Sequence, residues 1–164
     1  MKNNYIKLGI ILGITIILGI LFLNLYRSYE ENKSNTSYIG KYVSSVKTKD
    51  LSNIMVELTG DNFLYLSYTG NKYIYELENK MYKIVKKNEL EDHFIYVDCT
   101  DDLNEFKGVS NLKNYLMISN RELVLPAIVY FKDNNPVDFV DSKDGLFDIG
   151  ELSKLLDEYE LGVK

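Results

Sequence analysis

Residues 62–74, NFLYLSYTGNKYI, decide how the rest of the chain is read. Phe63–Ser67 is an uncharged run of large residues, the pattern of a strand buried on both faces. Tyr68–Gly70 supplies a short loop. A helix begins near Asn71, because Ile74, Leu77, Met81, Ile84 and Val85 then recur at helical spacing. A strand that runs straight into a helix start presents unpaired N–H groups and the positive end of a dipole. α/β proteins place chemistry at such junctions. Here the first turn offers no Cys, His, Asp or Glu.

Working outward, the same helix extends from Lys72 to about Lys87, with Glu76, Glu78, Lys80, Lys83 and Lys86 off the apolar stripe and Asn88 closing it. Upstream, Asp50 is placed as an N-cap for a two-turn helix carrying Leu51, Ile54, Met55 and Leu58, which Thr59-Gly60 ends. Tyr42–Val46 fits a short edge strand. Downstream, Phe94–Val97 is a strand, and 101–125 is less regular, with a short helix expected around Leu112, Tyr115 and Leu116. Ala127–Phe131 is an apolar strand entered from Pro126. Lys132–Asn135 turns the chain, and Pro136–Val140 returns as the second arm of an antiparallel hairpin. Asp148 caps a last helix, with Glu151 completing a capping box and Phe147 stapling onto Leu152. Ile149, Leu152, Leu155, Leu156 and Tyr159 form its buried stripe.

The N-terminus differs in kind. From Leu8 to Leu23 no residue is charged, and Tyr5, Ile6, Leu25 and Tyr26 extend the run towards the ~20 residues a bilayer requires. Residues 1–27 are therefore assigned as an uncleaved membrane anchor, spanning about 5–26. The tyrosines at both ends suit the membrane interfaces, and Lys2 and Lys7 ahead of the span put the N-terminus inside and the rest outside. No A-x-A-like cleavage site follows the run. Residues 28–40 are expected as a polar linker, and 41–164 as the folded domain. Gly9 and Gly13 match a small-xxx-small packing pattern, a route to a homo-oligomer.

Composition excludes several functions. Lys2, Lys7 and Arg27 are the only charges in 1–27, so of 19 basic and 24 acidic residues the remainder keeps a balance of −8. No basic patch is interleaved with aromatics, so nucleic acid is not an expected partner. One cysteine and one histidine rule out an internal disulfide and a His-rich metal site. Cys99 precedes Asp101 and Asp102, and neighbouring acids disfavour a thiolate, so it is expected to be inert. His93 is read as a surface residue. Asp98, Asp101 and Asp102, and likewise Asp141, Asp144 and Asp148, lack the calcium-loop spacing and are read as turn and cap residues. No phosphate loop or nucleophile elbow is present. No catalytic residue, metal or cofactor is expected.

The element order β-α-β-α-β-(α)-β-β-α over roughly 41–160, the junction NFLYLSYTGNKYIYELENKM, and VLPAIVYF before the hairpin resemble the thioredoxin fold. The resemblance implies a three-layer α/β/α domain with a mixed sheet, preceded here by one transmembrane helix. More narrowly, the layout is similar to membrane-anchored extracytoplasmic members that include bacteriocin transport accessory proteins. In the family, the proline at the start of the penultimate hairpin strand is cis and faces the active-site loop; Pro126 matches it. Thioredoxin-like oxidoreductases also carry Cys-x-x-Cys at the start of the helix after the second strand. Asn71 and Ile74 occupy those positions, so the family's thiol chemistry is not expected. The resemblance leaves Tyr68, Thr69, Leu125 and Pro126 as a peptide-binding surface, and implies a binding or accessory protein with an unidentified protein or peptide partner. The alternative is an oxidoreductase that uses Cys99 alone.

Overall fold

The computed structural model describes residues 2–103, 123–142 and 146–162. The expected helix around Leu112–Leu116, and Asp144, lie outside these. The elements are α1 (Lys2–Ser34), β1 (Ser44–Lys47), α2 (Leu51–Glu57), β2 (Asp61–Ser67), α3 (Lys72–Lys87), β3 (Phe94–Asp98), β4 (Ala127–Lys132), β5 (Asn135–Asp141) and α4 (Ile149–Glu158).

The strands form one mixed sheet in the order β1-β3-β2-β4-β5. β3 runs parallel to both β1 and β2, while β4 is antiparallel to β2 and to β5. Alternation along each strand sends side chains to two cores. Phe63, Tyr65, Phe94, Tyr96, Ile128 and Tyr130 meet α3 and α4 on one face. Leu64, Leu66, Ile95, Val97, Val129 and Phe131 meet α2 on the other. The sheet is thus covered on both faces, which is why the strand segments carry continuous apolar runs. The hairpin turns at Asp133 and Asn134, both at positive φ (47° and 64°), the geometry that suits a two-residue connection.

Four local expectations change. The stretch from Ser28, read as an irregular linker, stays helical through Ser34. It lies against α3: the Ser34 carbonyl accepts from Gly70 N–H at 2.8 Å, and Glu30 pairs with Lys72. Tertiary packing of this kind sustains helix where local pattern is weak. Glu78, assigned to the polar face of α3, is fully buried, because its position falls between Ile74 and Met81 on the stripe and donors from residues 37–39 meet it there. Asp50 precedes α2 but makes no cap bond, since a 3₁₀ turn, Thr48–Asp50, leads into the helix and holds Asp50 in helical backbone. β1 begins at Ser44 rather than Tyr42, whose ring instead stacks on Tyr82 at 4.2 Å.

Candidate functional site

The carboxyl ends of the parallel strands β2 and β3 lie abreast, with Ser67 opposite Asp98. Cys99 N–H donates to the Ser67 carbonyl at 2.8 Å, so the two exits remain tied. From there the loop Tyr68–Asn71 is held at three points. Thr69 N–H donates to Thr100 Oγ1 at 2.9 Å, and Thr100 is in turn fixed by Asp98 Oδ1 through its N–H (3.0 Å) and hydroxyl (2.5 Å). Gly70, at φ +85°, turns the chain in the left-handed region and sends its N–H to Ser34. Asn71 has extended backbone, and its Oδ1 accepts from Tyr73 N–H (2.8 Å) and Ile74 N–H (3.4 Å). Asn71 is the N-cap that the sequence indicates, and Ile74 is buried beneath it.

β4 reaches the same end from the opposite direction. Leu66 pairs with Ala127 in antiparallel register, which brings Pro126 abreast of Ser67 and Leu125 beyond it, beside the loop. The Leu125–Pro126 bond is cis. Ser142 holds this strand entry, its hydroxyl donating to the Pro126 carbonyl at 3.1 Å and its N–H to the Val124 carbonyl at 3.1 Å. Tyr73 projects from the first turn of α3 and its hydroxyl meets the Phe147 backbone, accepting from N–H at 3.1 Å. Tyr73, Val124 and Leu146 are exposed, and Tyr68 and Leu125 half-buried, so an apolar rim surrounds the junction. The structure therefore brings Tyr68, Thr69, Asn71, Leu125 and Pro126 to one end of the sheet.

The solved structures similar to this chain agree on its frame. Thioredoxin f2 of Chlamydomonas reinhardtii superposes with a TM-score of 0.53 at 11% identity, covering 74% of this chain and 99% of its own. The thioredoxin f2 in complex with ferredoxin:thioredoxin reductase gives 0.52 at 18%, covering 73% and 96%. Spinach chloroplast thioredoxin f, short form, gives 0.51 at 16%, covering 73% and 94%. The fold is thioredoxin-like. The similarity is one of fold, since no family model and no curated protein matches the sequence.

Within that thioredoxin-like fold, Cys99, His93 and the acids near the β3 exit have the following settings. Cys99 is buried, and burial, with Asp102 and Asp98 adding to it, pushes its thiol up to about 12. Its Sγ rests 3.6 Å from the Val97 carbonyl. Asp101 pairs with Lys47, and Asp102 accepts from the Thr48 hydroxyl, so these acids brace β1 against the β3 exit. His93 lies at the far end of the sheet, its Nδ1 2.8 Å from the Asp61 carbonyl. No group of His, Cys, Asp and Glu among the described residues is arranged to hold a metal.

One group escaped the sequence reading. Glu78 Oε2 accepts from the Ser37 hydroxyl (2.8 Å), Tyr38 N–H (2.5 Å) and Ile39 N–H (3.4 Å), while Oε1 is buried with no partner among the described residues. Burial lifts the carboxyl to about 7 against the pull of those three donors. The available signal was its i+4 spacing from Ile74, which puts an acid on the apolar stripe.

Proposed function

We propose that this chain is a membrane-anchored binding or accessory protein that uses a thioredoxin-like frame without thiol chemistry. The observation that carries the reading is Asn71. Its side chain satisfies the N–H groups of Tyr73 and Ile74, the groups that would otherwise stabilise a thiolate at a helix start. Ile74 is committed to the core, and the single cysteine lies buried elsewhere with its thiol form favoured. The surface left for contact is the end of the sheet, where Tyr68, Thr69 and Leu125 are half-buried and Pro126 lies buried beneath, together with its apolar rim. An extended peptide is the occupant this strand-end geometry supports, because Leu125 lies past the last β2 pairing. α1 is long and apolar enough to cross a membrane. Lys2 and Lys7 before the span support an N-terminus inside and a domain outside.

The test is thiol chemistry in both directions. The native chain is expected to show no disulfide reduction above background, and Cys99→Ala to behave identically. Turnover by the native chain that disappears in Cys99→Ala would establish the oxidoreductase instead. The double variant Asn71→Cys with Ile74→Cys is expected to oxidise to an internal disulfide. A folded double variant that keeps two free thiols under oxidant would overturn the assignment of those positions.

A further inference from the structure

We propose that Glu78 is a proton-operated latch that fixes the membrane helix to the domain and, through it, the Tyr68–Asn71 loop. α1 ends at Ser34, and only Asn35 and Thr36 separate it from the donors that Glu78 collects. Three hydrogen-bonded or ionic ties cross this junction, beside the contacts of Lys33 and Tyr38 with the Tyr75 ring. Glu30 pairs with Lys72 on the first turn of α3, the Ser34 carbonyl takes the Gly70 N–H, and Glu78 takes Ser37, Tyr38 and Ile39. The first is solvent-facing and weak by nature. The second reaches directly into the loop. The third is the buried one, and it spans 39 to 41 residues of sequence.

The two oxygens of Glu78 are treated unequally, and that asymmetry makes the latch respond to protons. Among the described residues Oε2 has three donors and Oε1 none, and both are sealed from water. A neutral carboxyl fits this setting: its carbonyl oxygen accepts the three bonds and its hydroxyl oxygen carries the proton. An ionised carboxylate leaves one oxygen bare in an apolar interior, a costly state. Among the described residues no cation is paired with it. Tyr65 faces it from β2, Tyr96 and Asp98 from β3, and Tyr38 from the junction itself; Asp98 disfavours the anion. Lys33 and Lys41 stand over the Tyr75 ring, 5.1 and 5.5 Å from its centroid. Opening the junction hydrates Glu78 and lets it ionise at its ordinary value. By linkage, protons favour the closed latch and rising pH loosens it.

The latch takes from the function proposed above only that α1 sits in a membrane; the Glu78 contacts and their response to protons stand without it. Amide hydrogen exchange on the full chain in lipid nanodiscs tests it. Protection factors of the Tyr38 and Ile39 amides are compared with core β2 amides from pH 5 to pH 8. Opening of the junction is expected to rise with pH, by up to about tenfold per unit, and to level off above neutrality. Gly70 is expected to lose protection in step. In Glu78→Gln this dependence disappears. Junction protection constant across pH in the native chain would overturn the latch, as would the same response in a folded Glu78→Gln. A Gly70 amide indifferent to pH while Tyr38 responds would overturn its reach to the loop. Should the variant not fold, the native series decides alone.

Discussion

Replacing the Asn71 side chain by a methyl group strands the N–H groups of Tyr73 and Ile74, which have no other acceptor in the first turn of α3. Loss of a side-chain cap costs about 1 kcal/mol. Asn71→Ala is therefore expected to lower stability by that amount, read as a shift in denaturant midpoint at unchanged slope. Asn71→Asp should retain it, since a carboxylate accepts the same two bonds and is favoured at the positive end of the helix. An amide oxygen takes the donors, and the position three residues later joins the core.

At the scale of elements, α3 joins the candidate site, the end of α1 and the sheet. Its start carries the candidate site, its outer side receives the end of α1, and its stripe of Ile74, Leu77, Met81 and Val85 packs on the sheet. Met81 is fully buried at the centre of that stripe, whereas Ile84 at its margin is only partly covered. Met81→Ala removes most of a fully buried side chain from the core between α3 and the sheet. It is expected to cost about 2–5 kcal/mol by thermal or urea unfolding, and Ile84→Ala less. The extension of α1 to Ser34 belongs to the same scale. Glu30, Glu31 and Lys33 tolerate helix, but it is the seat on α3 that keeps them helical.

For the whole molecule, Glu78 links folding to pH. Its ordinary value is near 4.5, and in the fold it titrates near 7. Between those values the folded state holds a proton that the unfolded chain has released. This contribution to stability is complete below about 4.5 and is lost as pH rises to 7, amounting to about 3 kcal/mol at most. Glu78→Gln cannot titrate, while its amide oxygen can still accept from Ser37, Tyr38 and Ile39. The variant is expected to flatten the stability profile between pH 4.5 and 7 and to be the more stable chain at pH 8. Urea midpoints across that range check both expectations; a native profile already flat there would remove Glu78 from the account.

Much of this architecture was legible in the sequence because it rests on local pattern. The runs Phe63–Leu66, Phe94–Val97 and Ala127–Phe131 carry large or apolar residues at every position, which a sheet covered on both faces accommodates. The helical period after Asn71, the cap itself, the hairpin turn and the apolar span at the N-terminus are likewise properties of neighbours along the chain. Tertiary structure alone decided the rest. It set β3 between β1 and β2, brought Pro126 abreast of Ser67, extended α1 onto α3, and buried Glu78. Each of these depends on groups far apart in sequence. A carboxylate on a helix reads as a surface residue until three donors, some forty positions upstream, meet one oxygen and leave the other sealed and bare.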